Sequence, residues 1–225
     1  MKTILLLTHH LKDLAGSEIN ILELSKEFRN LGFRVEVGTF SYGYPIKKHF
    51  LDESIEVKNI LHEKVNTSRY DLLWVQHAPL LAFILFEAEI EFGHIIFSSL
   101  SPYEPLEAPP LHLKEFISLF LANSNETKEK MVAEGLESSD VQLFPNSVPH
   151  NFFLSPKTLY AKELQRVAIV SNHLPKELYE LKKLLQSRDK RVDIYGLGNR
   201  VELISPEILR EYDAIITIGK TVQYA

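Results

Sequence analysis

A glycine and an acid stand together early in the chain, where an apolar run gives way to a helical pattern. Gly16, Ser17 and Glu18 occupy this junction. A glycine lets the main chain approach a ligand, and the free N–H groups at a helix start attract anions. Glu18 could accept hydrogen bonds from hydroxyl groups. The same residues also fit a purely structural role, in which Ser17 caps the helix and Glu18 favours its positive end.

Polar side chains follow two further apolar runs. His77 comes directly after the sequence DLLWVQ, and Ser99, Tyr103 and Glu104 lie within FSSLSPYEP. A histidine at the end of a strand can bind a ligand or transfer protons, or it can be a structural histidine. Hydroxyls and a carboxylate suit a polyhydroxyl ligand, although serine and proline clusters are also ordinary loop material.

Two lysines lie at later junctions of strand and helix. Lys176 stands near a helix N-terminus, where its charge opposes the helix dipole. Such a conflict is expected where a phosphate is held, and the alternative is a solvated side chain. Gly219, Lys220 and Thr221 repeat the arrangement, but a P-loop would require glycine at position 214, which is Ala214.

Composition excludes several classes of function. The chain of 225 residues has a net charge of −5 and no cysteine. The negative charge opposes nucleic-acid binding through overall basicity. The lack of cysteine removes disulfides, thiolate metal sites and a cysteine nucleophile, and we predict no metal site. The N-terminal apolar run is too short for a signal peptide. The longest apolar stretch falls short of the roughly 20 residues of a membrane span, so we expect a cytoplasmic protein.

Strand and helix patterns alternate along the whole chain, which predicts an α/β fold built from parallel βαβ units. Ligands of such sheets bind beyond the carboxyl ends of the strands, where the polar residues above are expected. A helix N-cap is predicted at Asn123, and helix ends at Gly32 and Gly135. Strands are predicted at 3–7, 34–39, 71–76, 95–98, 118–122, 141–144, 167–170, 192–195 and 213–218. Helices are predicted at 17–31, from 79, at 123–135, 176–186 and 206–212, and from 219.

The alternation is interrupted once, around Pro149 and Pro156, where periodicity is lost. We therefore predict a domain at 1–150, a linker at 151–165 and a second domain at 166–225. The second block is much shorter than the roughly 150 residues expected of such a domain, which predicts an incomplete second domain.

Three stretches resemble GT-B glycosyltransferases, most closely the retaining group of glycogen-synthase-like and bacterial polysaccharide and lipopolysaccharide transferases. The first resembles the opening G-G-x-E loop, helix and strand of that group, and the second its D-hydrophobic-H strand. The third resembles the end of its first domain, with the P-N-x-V…F signature. These stretches are AGSEINILELSKEFRNLGFRVEV, DLLWVQH and FLANSNETKEKMVAEGLESSDVQLFPNSVPHNFF.

The resemblance implies two Rossmann-like domains that face each other across a cleft. A saccharide or lipid-linked acceptor would bind mostly to the first domain, and a nucleoside-diphosphate sugar mostly to the second. No metal or cofactor would be required. The function would be sugar transfer in cell-surface polysaccharide synthesis, which is compatible with peripheral association with the inner membrane face. The candidate residues are His77 and Glu18 for catalysis; Gly16, Lys176, Gly219, Lys220 and Thr221 for donor phosphate; and Ser17, Ser99, Tyr103 and Glu104 for the acceptor.

The chain also departs from this group, and the departures keep other functions open. It has Ala15-Gly16 in place of two glycines, Ser98-Ser99 where a histidine is usual, and no recognisable E-x7-E pair. The missing histidine and acid pair favour a non-catalytic GT-B-like binding or scaffold protein. A GT-B sugar-nucleotide epimerase would need an acid and a base, for which Glu18, Glu104 and His77 are available. A nicotinamide dehydrogenase is disfavoured because no G-x-G-x-x-G follows the first strand.

Overall fold

The computed structural model describes residues 1–66, 69–154 and 162–225, so part of the predicted linker, 155–161, lies outside the described residues. The chain divides into two compact units. Unit 1 comprises Met1–Asp13 with Ser17–Pro145, and unit 2 comprises Leu14–Gly16 with Asn146–Ala225.

Unit 1 is built on a parallel sheet that has seven strands in the described part of the chain. The strand order is β5-β3-β1-β6-β7-β8-β9, and every pairing is parallel. A short parallel pair, β2 with β4, lies beside it. The strands are β1 (Thr3–Leu7), β2 (His10–Leu11), β3 (Arg34–Thr39), β4 (Ser41–Tyr42), β5 (Val57–Asn59), β6 (Arg69–Val75), β7 (Glu91–Ser99), β8 (Leu119–Ala122) and β9 (Val141–Leu143).

The centre of this sheet is covered on both faces, which explains the continuous apolar run of β1. Leu5, Leu6 and Leu7 are all fully buried in it. The helices are α1 (Gly16–Asn30), α2 (Ile46–Asp52), α3 (Ala78–Phe86) and α4 (Asn125–Ala133). Leu80 and Leu81 of α3 pack with Leu5 and Leu7 in one core cluster. The alternation of strands and helices therefore gives the predicted parallel sheet.

The residues predicted from the sequence to end or cap helices are found at the helix ends, with one correction. Gly32 and Gly135 have positive φ angles of 83° and 116° just after α1 and α4, as predicted for glycines that end helices. The predicted N-cap Asn123 is wrong by one residue. Ser124 is the cap, because its hydroxyl accepts the N–H of Thr127.

Several short elements were not predicted. Helix α2 escapes the pattern because it has only seven residues, of which Ile46 and Phe50 are buried. Strand β5 has three residues, and none of them is fully buried. Strands β2 and β4 have two residues each. Hydrophobic periodicity cannot identify elements of this length.

A buried hydrogen bond joins two strands of unit 1. The Tyr70 hydroxyl donates to Glu36 Oε2 at 2.6 Å, and the Asn66 N–H donates to Glu36 Oε1 at 3.0 Å. We expect Tyr70→Phe to lower the free energy of unfolding by about 2 kcal/mol, because a buried carboxylate loses a donor. Urea denaturation followed by Trp74 fluorescence measures this loss. Tyr44→Phe, at an exposed tyrosine, is the matched control, and an equal effect in both variants would contradict the expectation.

Unit 2 contains a smaller parallel sheet, with three strands among the described residues, in the order β11-β10-β12. Its predicted last helix is wrong, since Gly219–Gln223 forms a 3-10 turn, and α6 is shorter than the predicted 206–212. The elements are β10 (Arg166–Val170), α5 (Lys176–Gln186), β11 (Arg191–Tyr195), α6 (Pro206–Arg210) and β12 (Ala214–Thr217).

The main chain comes very close to itself at the carboxyl end of this second sheet. Gly196 follows β11 with φ 138°, and a Cβ built on it would lie 2.0 Å from the Ser171 carbonyl oxygen. Beside this contact, Asn172 Oδ1 accepts the Leu197 N–H at 3.2 Å. Only glycine fits at position 196 without movement of the backbone.

Candidate functional site

Polar side chains from five elements of unit 1 meet at the carboxyl edge of its sheet. The ends of β1 and β6, the short strand β2, the first turn of α1 and a 3-10 turn after β7 each contribute to this group. Parallel strands end at the same edge, so residues far apart in sequence become neighbours. We call this group the edge cluster; its members are Thr8, His9, His10, Glu18, His77 and Glu107.

His77 is the centre of the edge cluster, and its hydrogen bonds define its tautomer. The main-chain N–H of His9 donates to His77 Nδ1 at 3.1 Å, and Thr8 Oγ1 lies 3.2 Å from the same nitrogen. Nδ1 is therefore an acceptor, and the neutral ring carries its proton on Nε2. Nε2 lies 3.8 Å from Glu107 Oε1.

The His77 imidazole is held neutral. Its exposed fraction is 2%. Burial lowers its pKa to about 3, and the neighbouring His10 and His9 add to this effect. His77 therefore presents a fixed N–H donor at neutral pH rather than a cation.

Glu107 lies next to His77, and the sequence analysis missed it. Burial raises the pKa of Glu107 to about 7, and the negative charges of Glu104 and Glu18 contribute. Among the described residues, its carboxyl group makes no hydrogen bond. It is thus a carboxyl group close to equal populations of its two protonation states at neutral pH.

Glu18 is the second buried acid of the edge cluster and has no exposed surface. Burial raises its pKa. The Ser17 hydroxyl donates to Glu18 Oε2 at 3.0 Å, and His10 Nε2 lies 3.4 Å from Oε1. Oε1 itself has no hydrogen-bond partner in the described part of the chain. The edge cluster thus contains both predicted catalytic residues, His77 and Glu18, and Ser17 is hydrogen-bonded to Glu18.

The other predicted acceptor residues lie in different surroundings. Ser99 is buried, and its hydroxyl donates to the Ser101 carbonyl at 3.4 Å. Tyr103 is exposed, and its hydroxyl donates to Glu126. Glu104 is exposed; its main-chain carbonyl accepts the Glu107 N–H at 3.0 Å, and its side-chain charge acts on the Glu107 carboxyl group. No sequence signal distinguished Glu107 from Glu104, since both are acids in one proline-containing loop.

The predicted phosphate residues of unit 2 differ in exposure. The Lys176 side chain is 85% exposed and its Nζ lies 3.4 Å from Glu180 Oε1. Lys220 is buried, donates to the Ser147 carbonyl at 3.2 Å and lies over the Tyr224 ring. Gly219 has φ 65°, and Thr221 is half-buried in the following 3-10 turn. Gly16 is the exposed first residue of α1. Their assignment to donor phosphate stays a prediction.

Residues 1–66, 69–154 and 162–225 contain no group of three or more histidine and acid side chains arranged to hold a metal ion. The helices of this part of the chain lack the length and apolar character that a membrane span requires.

Comparison with known proteins identifies the fold. No protein-family model matches the sequence, and a search of curated proteins found no match. Solved structures do match. HepE from Anabaena, solved with UDP and glucose, is 20% identical with a TM-score of 0.58, over 87% of this chain and 60% of that chain.

Two other matches have similar scores. A glycosyltransferase from Rickettsia africae is 14% identical with a TM-score of 0.56, over 99% of this chain and 70% of that chain. A putative UDP-N-acetylglucosamine 2-epimerase from Listeria monocytogenes is 12% identical with a TM-score of 0.54, over 97% and 69%. The chain thus spans 60–70% of the length of these three proteins. Its fold is the Rossmann-like α/β fold of GT-B type, as predicted.

Proposed function

We propose that the protein transfers a sugar from a nucleoside-diphosphate donor to a hydroxyl group of a saccharide or lipid-linked acceptor. The observation that carries this proposal is the edge cluster: a buried neutral histidine and two buried carboxyl groups at the ligand-binding edge of a parallel sheet. The fold supports it, because HepE has this fold and was solved with UDP and glucose. Membership of the retaining glycogen-synthase-like group, and a role in cell-surface polysaccharide synthesis, are part of the proposal.

The reaction consists of three changes, which the protein must assist. A new bond joins the acceptor oxygen to the anomeric carbon, the bond from that carbon to the diphosphate breaks, and the acceptor hydroxyl loses its proton. We assign binding and orientation of the sugar to the fixed N–H of His77 and the hydroxyl-accepting Glu18. The Lys176 side chain of unit 2 and the main chain at Gly16, the first residue of α1, would stabilise the departing diphosphate without a metal.

Substitutions of His77 test this function. His77→Asn retains an acceptor for the His9 N–H, whereas His77→Gln retains a donor near the position of Nε2. With UDP-glucose and a panel of saccharide acceptors, we expect both variants to transfer sugar roughly 10–100-fold more slowly than the wild type, because a fixed donor is lost or displaced. His77→Gln should retain more activity than His77→Asn. UDP release and the labelled product are measured.

The control for this assay is Lys176→Ala, which should weaken donor binding while leaving the edge cluster intact. Donor binding without product formation, with every acceptor tried, would favour a non-catalytic binding protein. The absence of both binding and turnover with all common sugar nucleotides would rule out the proposed function.

Epimerisation of a nucleotide sugar is a second candidate, favoured by one observation. Two buried carboxyl groups with raised pKa values lie in the edge cluster, Glu18 beside His10 and Glu107 beside His77. Proton abstraction from a carbon requires an acid and a base. Incubation of the donor in D2O without acceptor distinguishes the two reactions. Deuterium in the sugar ring would indicate epimerisation, whereas unchanged donor here, together with product formation once an acceptor is added, would indicate transfer.

A further inference from the structure

We propose that Glu107 is the catalytic base that removes the proton of the acceptor hydroxyl. This inference rests on the proposed transferase function and deepens it. It assigns the proton to a protein carboxylate in unit 1 rather than to the departing diphosphate. It also adds a residue that the family resemblance did not supply.

The position of Glu107 favours proton transfer over a structural role. A structural buried carboxylate is normally held by several hydrogen bonds, as Glu36 is by Tyr70 and Asn66. Glu107 has no such bonds among the described residues, and its side chain keeps 11% exposure. It is therefore a carboxylate that an incoming hydroxyl can reach and that has free acceptor positions.

The neighbours of Glu107 match this role. The Nε2–H of His77 faces it from the start of α3, with His10 and His9 behind that ring. The negative charges of Glu18 on α1 and Glu104 on the same turn disfavour the ionised form of Glu107. Burial and these two acids raise the pKa of Glu107 to about 7, which is suitable for a base that works at neutral pH.

The step balances without another reactant. The carboxylate of Glu107 takes the hydroxyl proton while the acceptor oxygen forms its bond to the anomeric carbon on the face that the diphosphate leaves, as retention of configuration requires. The electron pair of the breaking bond leaves with the nucleoside diphosphate. Protonated Glu107 then returns its proton to solvent. In the following turn, Glu115 is an exposed carboxyl group that can take no part in this step.

The test compares Glu107→Gln with Glu115→Gln in the full chain. We expect Glu107→Gln to lower kcat for transfer by roughly 100-fold or more, without a comparable change in KM for the donor. In the wild type, kcat should fall as the pH is lowered through about 7, because protonated Glu107 cannot accept a proton. Glu107→Gln should lose this dependence, and Glu115→Gln should behave like the wild type.

Each outcome separates the inference from the function on which it rests. Transfer by the wild type, with equal kcat and pH dependence in both variants, would overturn the role of Glu107 and leave the transferase function intact. No transfer by the wild type to any hydroxyl acceptor would overturn both. Unchanged Trp74 fluorescence in Glu107→Gln shows that a slow variant is still folded.

Discussion

Between pH 6.5 and about 4, the His77→Gln variant should gain about 3 kcal/mol of unfolding free energy relative to the wild type. The reason is the buried ring of His77, whose pKa is lowered to about 3. The unfolded chain binds a proton on this histidine near its ordinary value of 6.5, and the folded chain does not. The stability linked to His77 is therefore complete above pH 6.5 and is lost as the pH falls towards 3. Glutamine cannot ionise, so the variant lacks this loss.

Trp74 makes the measurement specific for unit 1. It is the single tryptophan of the chain, it is buried in unit 1, and it packs against Phe28 and Phe144. Urea denaturation monitored by its fluorescence, at a series of pH values, gives the required free energies. A constant difference between wild type and variant across this range would show that His77 titrates normally in the folded protein.

Glu107→Gln is the control, because its effect has the opposite dependence on pH. The pKa of Glu107 is raised from 4.5 to about 7, so folding favours the protonated acid. Its stabilising contribution is complete below pH 4.5 and is lost as the pH rises through about 7. Relative to the wild type, Glu107→Gln should thus gain about 3 kcal/mol between pH 4.5 and 8. Equal trends in the two variants would point to a general effect of net charge.

Replacing Gly196 by alanine should destabilise unit 2 by about 4 kcal/mol or more. Two costs add at this position. The φ angle of 138° is one that side chains rarely adopt, and the new Cβ would lie 2.0 Å from the Ser171 carbonyl oxygen. The obstacle is main chain at the end of β10, so it cannot be relieved by rotation of a side chain. The ends of β10 and β11 must separate.

Gly198→Ala isolates the first of these costs. Gly198 has φ 76°, and a Cβ built on it meets no described atom within 4 Å. We expect a loss of about 1 kcal/mol there, from backbone strain alone. Amide hydrogen exchange in β10, β11 and β12 measures both variants, and Trp74 fluorescence should remain unchanged because it reports on unit 1. Similar losses of stability in the two variants would mean that the contact between a Cβ at position 196 and the Ser171 carbonyl oxygen does not add to the destabilisation.

The parts of the structure that could be predicted are those with a strong local signal. Strand β3 and helix α5 have the predicted bounds, because a buried run sets the pattern of β3 and the half-buried Leu178 and Leu185 pack α5 against the core of unit 2. His77 was identifiable because it directly follows an apolar run, and Glu18 because it stands beside Gly16 and Ser17 at the start of a helical pattern. The same reasoning could not place Glu107, eight residues beyond the end of β7, because its burial arises from packing against other elements. Nor could it predict that the Lys220 amino group binds a main-chain carbonyl.

The edge cluster has a consequence for the order of events during synthesis of the chain. Its members begin at Thr8 and end at Glu107, and they are joined through β6, which pairs directly with β1. A nascent chain that has produced α1 and β3 therefore carries three of the five ionisable groups of the cluster, without the strand and the turn that bury them. We expect the cluster to form late and in one event, when the non-local strand pairing closes, and the lowered pKa of His9 to be absent from a shorter N-terminal fragment.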